Sequence, residues 1–149
     1  MTSLDASSTA TNGQVSLAEA IKAANEDISV DGSVAGSGSD TIVFHSSLAG
    51  QTIRCSAAAL SVTSNITIDG DINGDGVPDI ILSGDVNNNG VRDAAESSGL
   101  QSNAGGNLTV RNLDFRHFCG QFVRRCDSCE LRIHYDRRFY FSQQCRCCN

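Results

Sequence analysis

Two oxygen-rich stretches are the first places in this 149-residue chain where chemistry suggests itself. Asp71-Ile-Asn73-Gly-Asp75-Gly76-Val-Pro-Asp79 puts an oxygen side chain at every second position around a glycine. Alternate side chains then converge while glycine supplies the sharp turn, which is how a loop wraps a hard cation. Asp85-Val-Asn87-Asn-Asn89-Gly90-Val-Arg-Asp93-Ala-Ala-Glu96 repeats the pattern and adds the Glu that closes a twelve-residue calcium loop. The first stretch has Leu82 at that closing position. No helical pattern flanks either loop, so an EF-hand domain is not expected. Asn, Asp and Gly are also ordinary corner residues, which is the alternative reading. The ion expected is Ca2+, held with a Kd of roughly 10⁻⁴–10⁻³ M and serving structure rather than catalysis.

The second candidate cluster lies near the C-terminus. Cys126-Asp-Ser-Cys129 is a CxxC knuckle, and Cys145 and Cys148 complete four thiolate ligands for Zn2+, with Cys147, His117 or His134 as substitutes. The spacing matches no zinc module well, and Cys-Arg-Cys-Cys is cramped for tetrahedral ligation. In an exported protein the same thiols would form disulfides instead. Arg124, Arg125, Arg137 and Arg138 stand among aromatics, as in some single-strand nucleic-acid sites. A short basic run is more often a solvated segment. The net charge of −6 and pI of 4.8 argue against nucleic acid as a partner.

Catalytic constellations are not visible. His45 is followed only by Ser46 and Ser47, Lys22 falls on a helix, and Arg54 has no acidic neighbour in sequence. There is no G-x-S-x-G, H-E-x-x-H or phosphate loop. The chain is therefore not expected to be an enzyme.

The elements that must position these residues are mostly short strands. Ser16 followed by Glu19 is a capping box, and Leu17, Ala20, Ile21 and Ala24 share one face, so a helix is expected over Leu17–Asn25. The Gly/Ser stretch from Gly32 to Ser39 forbids its continuation. Strand-like pieces follow at Asp40–Phe44, Gln51–Cys55, Leu60–Gly70, Asp79–Gly84 and Asn107–Phe115, with no helix between them. That excludes a βαβ chain and leaves a sandwich, a barrel or a solenoid. A lone helix ahead of the first strand favours the solenoid, whose first open edge needs a cover. Ile42, Phe44, Ile53, Ile66, Ile68, Ile81, Val110 and Leu113 are the expected interior. No apolar run approaches the ~18 residues of a membrane helix, and residues 1–14 do not read as a signal peptide.

The order VSLAEAIKAAN (Val15–Asn25), DTIVF (Asp40–Phe44), LAGQTI (Leu48–Ile53) and LSVTSNITIDGDINGDGVPDI (Leu60–Ile80) resembles a known series. It is similar to the N-terminal cap region of secreted bacterial right-handed parallel β-helix proteins with a CSLREA-type segment, adhesin-like and related to polymorphic outer-membrane proteins. Val15 stands where that family has Cys, and Ala18 where it has Arg. The resemblance implies an all-β right-handed parallel β-helix with one short N-terminal capping α-helix. It implies an extracellular or cell-surface binding scaffold whose partner is a protein or carbohydrate surface. Related β-helices include enzymes acting on polysaccharides, so a lyase or hydrolase is the alternative. Those sites need carboxylates on an exposed strand face, and here the acids sit in loops.

Composition breaks sharply at Asp114. Four basic residues oppose thirteen acids before it, whereas seven Arg oppose four acids from it onward, and six of the seven Cys follow. One explanation is translation out of frame. Arg124-Arg125-Cys126-Asp127 can be encoded so that a shift of one nucleotide reads Gly-Gly-Ala-Ile. The same shift over Arg138–Cys145 permits Ser-Thr-Phe-x-Asn-Asn-Ala. Gly-Gly-Ala-Ile and Phe-x-x-Asn are the short motifs of polymorphic outer-membrane-protein repeats, which resemble this β-helix class. The expected organisation is a disordered segment over 1–14, a β-helix cap and first rungs over 15–115, and an irregular Cys/Arg-rich tail over 116–149. The chain then reads as a truncated fragment, prone to self-association through its open last rung.

Overall fold

The structure, a computed structural model, describes residues 1–6, 8–55, 60–91 and 99–118, together with the backbone of Val123–Arg125 and Leu131–Ile133. One α-helix, α1 (Leu17–Glu26), precedes every strand. Its capping box is complete: the Ser16 hydroxyl accepts the Glu19 N–H at 3.1 Å, and the Glu19 carboxylate accepts the Ser16 N–H at 2.8 Å. That reciprocal pair explains why a carboxylate can be buried in the first turn. The helix ends at Asp27, which adopts the left-handed conformation with φ 53°, two residues beyond the expected stop.

Asn25, expected to end the helix, instead clasps the next layer. Its amide donates to the Ser61 carbonyl at 2.9 Å and accepts from the N–H groups of Thr63 and Ser64 at 2.8 and 3.2 Å. The Ser64 hydroxyl adds a bond to the Ala24 carbonyl at 3.1 Å. The helix is thus fastened to the corner between two strands by groups that would otherwise be unpaired.

The strands are β1 (Ser39–Val43), β2 (Thr52–Arg54), β3 (Leu60–Val62), β4 (Asn65–Asp69), β5 (Ile80–Ser83), β6 (Leu100–Ser102), β7 (Asn107–Arg111), β8 (Leu113–Arg116), β9 (Val123–Arg125) and β10 (Leu131–Ile133). They form three sheets, in the orders β1-β4-β7-β10, β2-β5-β8 and β3-β6-β9. Every pairing between these strands is parallel, and each strand returns to the sheet left three strands before. The protein is therefore mostly β, with parallel sheets and one helix.

Register stacks like on like. Ile42, Ile68 and Val110 are consecutive partners, as are Ile53, Leu82 and Phe115, and Leu60 and Leu100. Ile53, Ile68, Leu82 and Leu108 have no exposed surface. Each such side chain contributes about 1.5–3 kcal/mol by leaving water. Side chains alternate across the pleat, so the rows Ser39/Asn65/Asn107 and Thr41/Thr67/Thr109 line the outer face of the first sheet. Leu17, Ile21 and Ala24 of α1 join the same core.

Three expectations need correction. Ile81 is not interior: Ile80 and Leu82 are fully buried, and Ile81 faces outward between Thr52 and Asp114. In the run Ile80-Ile81-Leu82 all three residues are apolar, so composition leaves the phase of alternation open. The N-terminal segment is not loose. The Ala6 N–H bonds the Arg54 carbonyl and the Ala18 N–H bonds the Ala6 carbonyl, at 3.1 and 2.8 Å, and Ala6 is wholly buried. Asp5 bridges Arg54 in parallel, which covers the free edge of β2. Farther along, the N–H groups of Asn12, Gly13 and Gln14 all converge on the Asp31 carboxylate at 2.9–3.1 Å. Polar composition concealed this because the attachments are made through main-chain groups. Lastly, β9 and β10 pair with β6 and β7 inside the segment read as an irregular tail. Parallel pairing needs only extended backbone and an open edge.

Candidate cation-binding loops

The first oxygen-rich loop joins β4 to β5 and the second leads from β5 toward β6, so they stand at opposite ends of one strand. Four residues of strand span about 13 Å, and the two loops cannot share an ion. Asp71, Asn73 and Asp75 lie together. The Asn73 amide donates to Asp75 Oδ2 at 3.2 Å and accepts the Asp75 N–H at 2.9 Å. Asp79 sits apart, at the neck: its N–H bonds the Gly70 carbonyl at 3.0 Å and its carboxylate takes the Ile72 N–H at 2.8 Å.

The two loops share most of a hydrogen-bond pattern, differing in one partner of the leading Asp. Asp71 accepts from Gly74 and Gly76 at 2.7 and 2.8 Å; Asp85 accepts from Asn89 and Gly90 at 3.1 and 2.9 Å. Asn87 accepts the Asn89 N–H at 3.2 Å as Asn73 accepts that of Asp75. Asp75 and Asn89 each accept the N–H two residues on, from Val77 and Val91, at 2.8 and 2.7 Å. The first, third and fifth positions of D-x-N-x-[DN]-G therefore turn their oxygens inward in both loops. Charge-assisted bonds, the Gly76 N–H foremost, hold the Asp71 carboxyl below its ordinary pKa. Asp85 is 5% exposed, with both oxygens satisfied by backbone N–H groups.

Each carboxylate oxygen keeps a second lone pair, so the donor set fits a hard, oxygen-seeking cation. Among the described residues no cluster of three or more His, Cys, Asp or Glu side chains is placed to hold a metal. A cation would rely on Asn oxygens and main-chain carbonyls beside Asp71 and Asp75 in the first loop, and beside Asp85 among the described residues of the second. Asp93 and Glu96 lie outside the described residues, as do Cys126, Cys129, Cys145 and Cys148.

Glycine is required at the foot of each loop. A Cβ on Gly70 would come within 2.6 Å of Leu113 Cδ2, and one on Gly84 within 2.8 Å of Phe118 Cδ1. Asn112 and His117, the residues that pass over these glycines, are both left-handed, with φ 49° and 54°. The β7–β8 corner is thus a single residue where the preceding layer inserts a whole loop.

Other residues considered for chemistry have local duties. His45 Nδ1 meets the Ser47 hydroxyl at 2.9 Å and caps the short 3-10 turn Ser46–Leu48. Arg54 reaches across to Asn88 Oδ1 and ties the second loop to β2. Sequence reasoning missed that tie and the Asp31 clasp, since both partners are distant in the chain. Cys55 is buried, and desolvation pushes its thiol up to about 12. No helix among the described residues is long and apolar enough to cross a membrane. Comparison with protein-family models, curated proteins and solved structures returned no match.

Proposed function

We propose that this chain forms the capped beginning of a right-handed parallel β-helix that works, outside the cell or on its surface, as a binding or adhesion scaffold. The return of every third strand to the same sheet supports the solenoid. Parallel crossovers are right-handed in nearly all folds, which supports the hand. The observation that carries a binding role is the outer face of the first sheet. Ser39, Thr41, Asn65, Thr67, Asn107 and Thr109 line a shallow depression of about 310 Å³ there. Asp40 and Ile66 complete its lining, and hydroxyls and amides at a fixed strand spacing offer directional hydrogen bonds to a glycan or protein surface.

The test is a binding survey of the full chain against glycans and cell-surface proteins, repeated with Thr67→Lys and Thr109→Lys. Retention by some of these surfaces, lost in the double variant while its melting temperature is unchanged, is expected. Equal binding by the variant, or turnover of a polysaccharide, overturns the reading. Among the described residues β8, β9 and β10 each pair with one strand only, and an edge of that kind invites a second copy, so association should increase with concentration.

Calcium binding is a second reading, favoured by the hydrogen-bond pattern common to both loops. Asp71, Asn73 and Asp75 would hold one ion, and Asp85, Asn87 and Asn89 another, each offsetting the charge gathered at its corner. Millimolar Ca2+ should then raise the melting temperature, and Asp85→Ala should remove the second loop's share. No rise in the parent protein would end this reading.

A further inference from the structure

Asn-Gly is the dipeptide most open to spontaneous deamidation, because glycine carries no side chain to obstruct the reaction. The glycine nitrogen loses its proton and attacks Asn Cγ, ammonia leaves, and water opens the resulting succinimide to Asp or isoaspartate. The chain holds three such pairs: Asn12-Gly13, Asn73-Gly74 and Asn89-Gly90.

In all three the attacking N–H is already given to a carboxylate. Gly13 donates to Asp31 Oδ1 and Oδ2 at 3.0 and 2.9 Å, Gly74 to Asp71 Oδ1 at 2.7 Å, and Gly90 to Asp85 Oδ2 at 2.9 Å. The electrophile is fixed too. Asn12, Asn73 and Asn89 each accept, through Oδ1, the N–H two residues on, at 2.8, 2.9 and 2.7 Å. A neighbouring anion opposes loss of the amide proton, and the paired bonds keep nitrogen and Cγ from the approach the reaction needs.

We propose that Asp31, Asp71 and Asp85 guard the three Asn-Gly bonds of this protein against succinimide formation. Asp31 decides the matter, since it lies outside both candidate cation loops and eighteen positions from Gly13. At Asn12-Gly13 the guarding is therefore independent of any ion bound in those loops. It would suit a surface protein that is not replaced quickly.

The experiment is peptide mapping by mass spectrometry after prolonged incubation in mildly alkaline buffer without calcium. The folded wild type, the urea-unfolded chain and the folded Asp31→Ala variant are compared. Expected is deamidation at all three sites slower by about ten- to hundred-fold in the folded wild type than in urea, the factor lost with a charged hydrogen bond. In Asp31→Ala the rate at Asn12 should rise toward the unfolded value while Asn73 and Asn89 stay protected and serve as internal controls. Folded wild type deamidating at the unfolded rate would overturn the proposal. So would an Asn12 rate that does not rise above those of the other two sites in the variant.

Discussion

Gly106 offers a direct test of how tightly successive strands are stacked. It precedes β7 and lies against the β3–β4 corner, where an added Cβ would stand 2.5 Å from the Val62 carbonyl oxygen and 3.0 Å from Thr63 Cα. Both are main-chain atoms, so no side-chain rotation relieves the clash. Retreat is blocked from below, because Asn25 holds the N–H groups of Thr63 and Ser64. The strain must open the bonds that join the two layers, Asn103 N–H to Val62 at 2.8 Å and Asn107 N–H to Ser64 at 3.0 Å. Overpacking costs about 1–3 kcal/mol and each weakened bond about 0.5–1.5 kcal/mol. Gly106→Ala should therefore cost about 2–6 kcal/mol, a fall of roughly 4–24 °C in Tm for a chain of this length. Gly105 is the matched control. Its φ is +89°, but an added Cβ meets nothing closer than the Thr63 carbonyl at 3.8 Å. Gly105→Ala should cost only the ~1–2 kcal/mol of a left-handed non-glycine residue. Urea unfolding of both variants gives the comparison, and Gly106→Ala no more costly than Gly105→Ala would refute the close approach.

Three further outcomes are expected. Asn25→Ala removes four hydrogen bonds between the helix and the β3–β4 corner, the longest from the Ser64 hydroxyl at 3.4 Å, and should lower stability by about 1–3 kcal/mol in urea titration; an unchanged midpoint would mean the clasp is ornamental. Asp31 and Asp71 have carboxyls held below the ordinary range, chiefly by the Gly13 and Gly76 N–H groups. Their stabilisation is present above the unfolded pKa near ~3.9 and lost as pH falls through the lower native value. Amide spectra followed into acid should show Gly13 and Gly76 shifting together with these carboxyls, at lower pH than exposed acids titrate. The Cys55 thiol, pushed up to about 12 by burial, should resist alkylation in the folded chain at neutral pH and react once urea is added, as peptide mapping would show.

The helix and its capping box were legible in the sequence because their determinants are local: Ser16, Glu19 and a periodic apolar face. Most strands were visible too, since β-branched runs such as Asn65–Asp69 alternate cleanly. What escaped was set by distant partners. Asn112 breaks Asn107–Phe115 into β7 and β8 by adopting a left-handed corner, which no property of a single Asn announces. β6 (Leu100–Ser102) is only three residues long and owes its pairing to β3. The residues of the two oxygen-rich loops were identifiable from spacing alone. Their separation across β5, and the placing of Asp79 at a neck, depended on the length of an intervening strand. Asp31 drew no notice because its ligands are main-chain N–H groups, which sequence does not distinguish.

The most direct test of the stacked parallel arrangement is a set of nuclear Overhauser contacts in the methyl-labelled full chain. Contacts from Ile42 to Ile68 and from Ile68 to Val110, with none between Ile42 and Val110, are expected from the register of β1, β4 and β7. Strong Hα–Hα contacts between these strands are the mark of antiparallel pairing, and their appearance would contradict the fold and the scaffold reading built on it.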